Sequence, residues 1–385
     1  MDLNRHTVRR LCSGQQRLWA HFYRIYLIGI FILHLWPISA QSEPHIREQL
    51  EKIIRYDTKI SYDEIPGFLV GIVDGDTSFI EAFGHANRLQ TERLHSKSIF
   101  QVGGLTKVFT AMLAQVLHDR GIICLDTSIN QYLPSDSRNH ALDYLTIRHL
   151  LSHTSGLPLF PDNFATDQEP RNRYRRYTKK SLMNYYRDAR VLAHHRGKYR
   201  HAHTNYALCE LLLEFSTSTS YPELLQKYIL SPLGMTTTAC TDVFNSDGLT
   251  PGFDRSGQLA EPWHFSSFSG SEGLQTSMQD LCLFLRHMLS DEHTLSSSFQ
   301  HLLQRHQKLP RSKKTYIATG WHFMQHRKKD PIYLHSGKTN GHAASIHFIK
   351  DTKTGVIVLT NSPGTLDGLA LLTLRMINHN WKRNK

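Results

Sequence analysis

The strongest constraint on the fold is strand-like sequence at both ends of the chain, with a long helical stretch between. Phe68-Leu69-Val70-Gly71-Ile72-Val73 is an apolar run closed by the turn pair Asp74-Gly75, and residues 78–84 run back. This pattern predicts a β-hairpin. Further strand candidates come late, at 316–323, 332–335, 343–349 and 355–359, with a turn over 351–355. From about 126 to 311 the pattern is helical and loop, punctuated by Pro134, Gly156-Leu157-Pro158, Pro232 and Gly234. An amphipathic helix over 366–380 closes the chain. The two sets of strands are expected to join in one antiparallel sheet, with the helical middle as an insertion. The sheet lobe would take about 45–104 and 315–385, and the helical lobe about 105–314. A cleft between two such lobes is the natural ligand site.

The N-terminus has the pattern of a targeting segment. Arg5, Arg9, Arg10, Arg17 and Arg24 precede an apolar run over 25–36, and Ala40 offers a small residue before a cut at Gln41. The run is too short to span a bilayer comfortably. Residues 1–40 are therefore expected to be a signal peptide or an N-terminal anchor, ahead of one domain over 41–385. Either reading places the protein outside the cytoplasm, in the periplasm, the cell envelope or the extracellular space.

A net charge of +12 favours anionic surfaces such as lipid headgroups or envelope polymers. No nucleic-acid motif accompanies the charge, so a nucleic-acid partner is not expected. The basic stretch over 159–200 reads as a solvated face. Outside the leader, Cys124, Cys209, Cys240 and Cys282 are isolated among apolar neighbours. They read as buried small hydrophobes rather than disulfides or zinc ligands.

Leu105, Val108, Phe109, Met112, Leu113, Val116 and Leu117 recur at three- and four-residue intervals and predict a helix, with Gly121 at its C-terminal cap. The segment that opens it reads Phe100-Gln101-Val102-Gly103-Gly104-Leu105-Thr106-Lys107-Val108-Phe109-Thr110-Ala111. It resembles the nucleophile motif of the serine β-lactamases and penicillin-binding proteins, Ser-x-x-Lys at a helix start. The nearest branch is that of the class C β-lactamases, DD-carboxypeptidases and related esterases. Three other stretches also resemble that family: residues 146–158, Ser231-Pro232-Leu233-Gly234-Met235, and residues 273–281. Gly355-Val356-Ile357-Val358-Leu359-Thr360-Asn361 resembles its last core strand, so the likeness covers about 45–375. The resemblance implies an α+β, three-layer αβα architecture of the β-lactamase/transpeptidase type.

The motifs depart from the family pattern where the chemistry resides. Gly104 stands at the nucleophile position and has no hydroxyl, while Lys107 remains one turn later. No lysine in the chain has a serine three residues before it, and Thr106 points away around the helix. The family's Tyr-x-Asn relay corresponds to His201 and His203, registered on Gly197, Asn205 and Tyr206-Ala207-Leu208. His335-Ser336-Gly337 fits the His-x-Gly variant of the family's Lys-Thr-Gly strand, where Gly337 would let a ligand approach closely.

In well-studied serine hydrolases, deleting the nucleophile costs on the order of 10⁶ in turnover. The expectation is therefore a non-catalytic relative that binds a peptide, a cell-wall fragment such as a muropeptide, or a small molecule. The alternative is an active carboxypeptidase, esterase or β-lactamase in which Lys107 or His201 activates water. No cofactor is expected. His201, His203 and His335 lack an identifiable carboxylate or fourth ligand, so no metal is expected either.

Overall fold

The apolar hairpin forms as its sequence predicts. Strand β1 (Gly67–Asp74) returns through the Gly75 turn as β2 (Thr77–Gly84), with Gly71 opposite Ile80. β1 is buried along nearly its whole length, as a central strand covered on both faces should be. Its other neighbour is β11 (Thr354–Thr360), almost three hundred residues away, with Gly71 opposite Ile357. The structure, a computed structural model, describes residues 39–58, 60, 65–164, 172–240, 248–310, 312, 314–325, 330–364 and 366–381. Most of the predicted leader lies outside these residues. No described helix is long and apolar enough to cross a membrane.

Two compact units divide between Glu51 and Lys52. What is described of the first is the helix Ser39–Lys52 as far as Glu51, which carries an Arg47–Glu51 ion pair at 3.2 Å. The second holds an eight-stranded antiparallel sheet in the order β2-β1-β11-β10-β9-β8-β7-β6. Its remaining strands are β6 (Arg305–Lys308), β7 (Thr315–Ala318), β8 (His322–Met324), β9 (Ile332–Lys338) and β10 (Ala343–Ile349). Both ends of the chain thus feed one sheet.

Helices cover both faces. Neighbouring residues of a strand point to opposite sides. On β11, a side chain at Gly355 would run into Leu285 of the helix Met278–Leu289. Its neighbour Thr354 instead takes a hydrogen bond from Asn378 of the helix Asp367–Trp381. One helix therefore lies on each face, which gives the three-layer αβα arrangement.

Four sequence expectations need correction. The candidate strand over 316–323 is two strands, β7 and β8, because Gly320 turns the chain at φ +74°. β6 was not anticipated; its alternation is polar. A second, three-stranded sheet also forms from β3 (Ile99–Gln101), β5 (Leu274–Ser277) and β4 (Ala239–Cys240). It fixes the start of the long helix Thr106–Asp119, since the Val102 N–H bonds the Leu274 carbonyl at 3.1 Å. Finally, the four cysteines are free, but Cys124 is exposed rather than buried; it sits on the turn after the long helix.

Candidate active-site cleft

The cleft is built where the long helix meets β9. A 3-10 turn, Gly103–Leu105, leads into the helix Thr106–Asp119. The Thr106 hydroxyl donates to the Gly103 carbonyl at 2.7 Å and accepts from the Leu274 N–H at 3.0 Å, a structural role. Glycines on both sides permit a close seam. A Cβ on Gly337 would lie 2.2 Å from the Val102 carbonyl oxygen and 2.6 Å from the Gly104 nitrogen. The sequence suggested that Gly337 admits a ligand. The structure gives another reason: it admits the chain's own helix start. Gly103 answers from the other side at φ +49°, where a Cβ would lie 2.4 Å from the Lys338 carbonyl oxygen.

Gly104 differs from these two. Its backbone is ordinary, and an added Cβ would make van der Waals contacts with Lys107 Nζ at 3.4 Å and the Ser336 carbonyl oxygen at 3.5 Å. Gly104 therefore faces the lysine, with room for a Cβ.

Lys107 is 1% exposed and fully engaged. Its ammonium donates to Glu272 Oε1 at 2.5 Å and to the Ser271 carbonyl at 3.0 Å, and lies 3.3 Å from His203 Nδ1. His203 Nδ1 also bonds Glu272 Oε1; a carboxylate can only accept, so Nδ1 carries the hydrogen. Burial opposes charge on both Lys107 and Glu272. The lysine and then His203 nevertheless hold Glu272 well below the usual carboxylate range. Burial pulls Lys107 down, while a carboxylate this close keeps it an ammonium. Sequence reasoning missed Glu272. It lies between Ser271 and Gly273 at the end of the short helix Ser269–Glu272, with no periodicity to mark it.

The stretch with the strongest family resemblance, 146–158, proves to be a clamp for the histidine segment. His153 Nδ1 accepts from the Ala202 N–H and from the Asn205 side chain, both at 3.2 Å. Ser155 donates to Asn205 at 2.7 Å, and the Arg200 N–H bonds the His153 carbonyl at 2.7 Å. These contacts hold His201 and His203 at the start of the helix His203–Thr217, beside the lysine. Tyr206 is not available as a relay: it is buried, and its hydroxyl donates to the Leu151 carbonyl at 2.8 Å.

The predicted strand residues also reach the cleft. His335 donates from Nδ1 to the Gly320 carbonyl at 2.8 Å. Ser336 turns its hydroxyl away, to Asp367 at 2.7 Å, and presents its carbonyl to Gly104. The histidines here are neutral imidazoles near pH 7. Burial, reinforced by Lys107 and His203, lowers His201 to about 3, and burial lowers His322 to about 4. His153 and His335 are driven well below the ordinary value, first by burial. No group of three His, Cys, Asp or Glu side chains among the described residues is placed to hold a metal ion.

Gly104, Lys107, His201, His203, Glu272 and the β9 residues 335–338 line one cavity of about 880 Å³. Its far wall includes Arg173, Tyr174 and Trp263. The basic stretch over 159–200 is thus not all solvated face. Tyr174 is buried, and Arg173 is half-buried against the cleft.

Comparison with known proteins agrees with this geometry. The Beta-lactamase family model matches residues 53–378. Protein flp of Staphylococcus aureus (strain N315) is 23% identical over 329 residues, 82% of this chain and 63% of that protein. A penicillin-binding protein of Bacillus subtilis (strain 168) is 24% identical over 185 residues, 48% of this chain and 40% of that protein. The chain thus spans less than two thirds of the length of these relatives. Among solved structures, a class C beta-lactamase superposes with a TM-score of 0.75 at 19% identity, covering 87% of this chain and 97% of that one. The class C beta lactamase from Rhodobacter sphaeroides gives 0.71 at 21% identity, covering 87% and 99%. With the family model spanning most of its length, and the sheet, helix start and cleft arranged as described, the chain belongs to the beta-lactamase family.

Proposed function

We propose that this protein is a non-catalytic member of its family that binds a peptide, a cell-wall fragment or a related small molecule in its cleft without forming an acyl-enzyme. One observation carries the reading. The position facing the lysine is Gly104, and the lysine itself is held in a buried pair by Glu272 and His203. Acyl transfer on this scaffold needs a nucleophile and a group to take its proton. Here the first is absent and the second is engaged. Residual oxyanion and binding groups still give roughly 10³-fold over water in hydrolases stripped of their triad, so vestigial hydrolysis is the ceiling.

The alternative, water activation by Lys107 or His201, has less support. Lys107 is 1% exposed and ion-paired. His201, lowered to about 3 chiefly by burial, is a weak base. The N-terminal pattern supports export, and the charge of +12 supports residence near anionic envelope polymers.

Incubation of the purified protein with a fluorescent penicillin and with a fluorophosphonate tests the reading. No adduct is expected from either probe. A stoichiometric adduct overturns it.

A further inference from the structure

The cleft contains a cation that no charged group among the described residues answers. Arg173 lies over three aromatic rings, with its guanidinium carbon 5.2 Å from the Phe160 centroid, 5.7 Å from Tyr174 and 5.9 Å from Trp263. It has no ion pair or hydrogen bond to another side chain or to the backbone among the described residues. It is half-buried and lines the cavity. Arginine can rest on ring faces by cation–π contact and still use its planar N–H fork, which matches a carboxylate bidentately. Ring contact also removes in advance some of the side-chain freedom that binding would otherwise have to restrict.

The other charges of the cleft do not compete for it. Lys107 and Glu272 neutralise one another. Asp254 folds back on its own loop, accepting from the Ser256 and Gln258 N–H groups, both at 2.9 Å. Glu261 and the cations Arg255 and Lys338 are exposed at the rim. Arg173 also acts on the site's interior, since its charge disfavours protonation of His203 after burial and Lys107 have done so.

We propose that Arg173 is the receptor for a ligand carboxylate, and that the cleft binds peptides or N-acyl amino acids through a free C-terminal carboxylate. This assignment rests on the non-covalent binding reading above. The carboxylate would sit on the aromatic-backed fork, and the acyl chain would run across the cavity toward β9 and Gly104. Recognition would then come from the helical lobe's wall rather than from the residues that once carried chemistry.

The test is a calorimetric or NMR titration of the whole protein with a mixed set of N-acetyl dipeptides, each as the free acid and as the C-terminal amide. The acids are expected to bind at least ten-fold more tightly than the amides. Arg173→Gln should abolish that preference, and Arg173→Lys should restore part of it, with melting curves confirming that both variants fold. Inorganic phosphate at the same concentration should not displace the acids. Equal binding of acid and amide, a preference that survives Arg173→Gln, or displacement by phosphate overturns the assignment to a carboxylate at Arg173. Equal binding leaves the binding reading standing; failure of every peptide to bind overturns both. A covalent penicillin adduct, by contrast, removes the non-catalytic reading while the acid preference can persist.

Discussion

Replacing Glu272 with glutamine probes the electrostatic centre of this site. The substitution keeps shape and removes the charge that faces Lys107 at 2.5 Å. At an effective dielectric constant near 20, that contact is a gross attraction of about 7 kcal/mol. Much of it offsets the cost of burying two ions, so the informative quantity is what happens when one is left alone. Breaking a buried pair by removing one partner typically costs about 3–5 kcal/mol, because the survivor is a desolvated charge. Lys107 would keep the Ser271 carbonyl at 3.0 Å and His203 nearby, but no anion. With a urea dependence of about 3 kcal/mol per molar for a domain of this size, the midpoint should fall by about 1–1.7 M. The double variant Lys107→Met with Glu272→Gln removes both charges and should recover most of that loss, so its destabilisation should fall far short of the sum of the two single variants. Urea titrations of wild type, both single variants and the double variant read this directly. Additive losses, or a single-variant loss below about 1 kcal/mol, would refute the claim that this pair is a buried, mutually dependent unit.

Three further outcomes follow from the same geometry. Gly104→Ser should fold with stability within about 1 kcal/mol of wild type, since its Cβ meets ordinary contacts, yet remain unlabelled by fluorescent penicillin because Lys107 stays paired. Labelling of that single variant would show that Glu272 does not disable the lysine, and combining it with Glu272→Gly, His201→Tyr and His203→Asn is the route to recovered acylation. Gly337→Ala should lose about 3 kcal/mol or fail to accumulate, because its Cβ meets backbone at 2.2–2.6 Å, and wild-type stability in a melt would disprove the seam. Stability should also fall with acid between about pH 6.5 and 4.5: burial lowers His201 to about 3 and His322 and His342 to about 4, so these three stay neutral when folded and charge when unfolded. Glu210, raised by burial to about 7, holds a proton in the folded state over the same range and offsets one of them, while His153, His335 and His347, also kept neutral by burial, add to the difference, so the unfolded state binds at least two more protons and the loss is at least roughly 2.7 kcal/mol per pH unit. Urea midpoints that are flat from pH 7 to pH 5 contradict this.

The parts of the fold that were legible in the sequence are those whose signal is local. The β1–β2 hairpin announces itself by an apolar run and an Asp-Gly turn, and the long helix by seven apolar residues on one face. The small sheet does not. Its strands have three, two and four residues, and their partners lie far apart in sequence. At the site, Gly104, Lys107, His201, His203 and His335 were found because motif spacing survives even when residue types change. Glu272 was not, because its meaning comes from a contact with Lys107 across 165 residues. Arg173 was misread for a related reason. Composition showed a basic stretch, but only folding brings Phe160 and Trp263 beneath that one guanidinium.

On the non-catalytic reading proposed above, Lys107 needs an explanation other than catalysis. A buried ammonium with no anion would be strongly destabilising. Glu272 and His203 supply what the charge requires: an acceptor at 2.5 Å, and a second donor that helps keep that acceptor ionised. In this arrangement the lysine acts as a strut that ties the helix start to the Ser269–Glu272 turn. Its removal should be felt first as instability. Arg173, on the opposite wall, has no partner charge among the described residues, and the carboxylate proposed for it would make the ligand, rather than the protein, answer that charge.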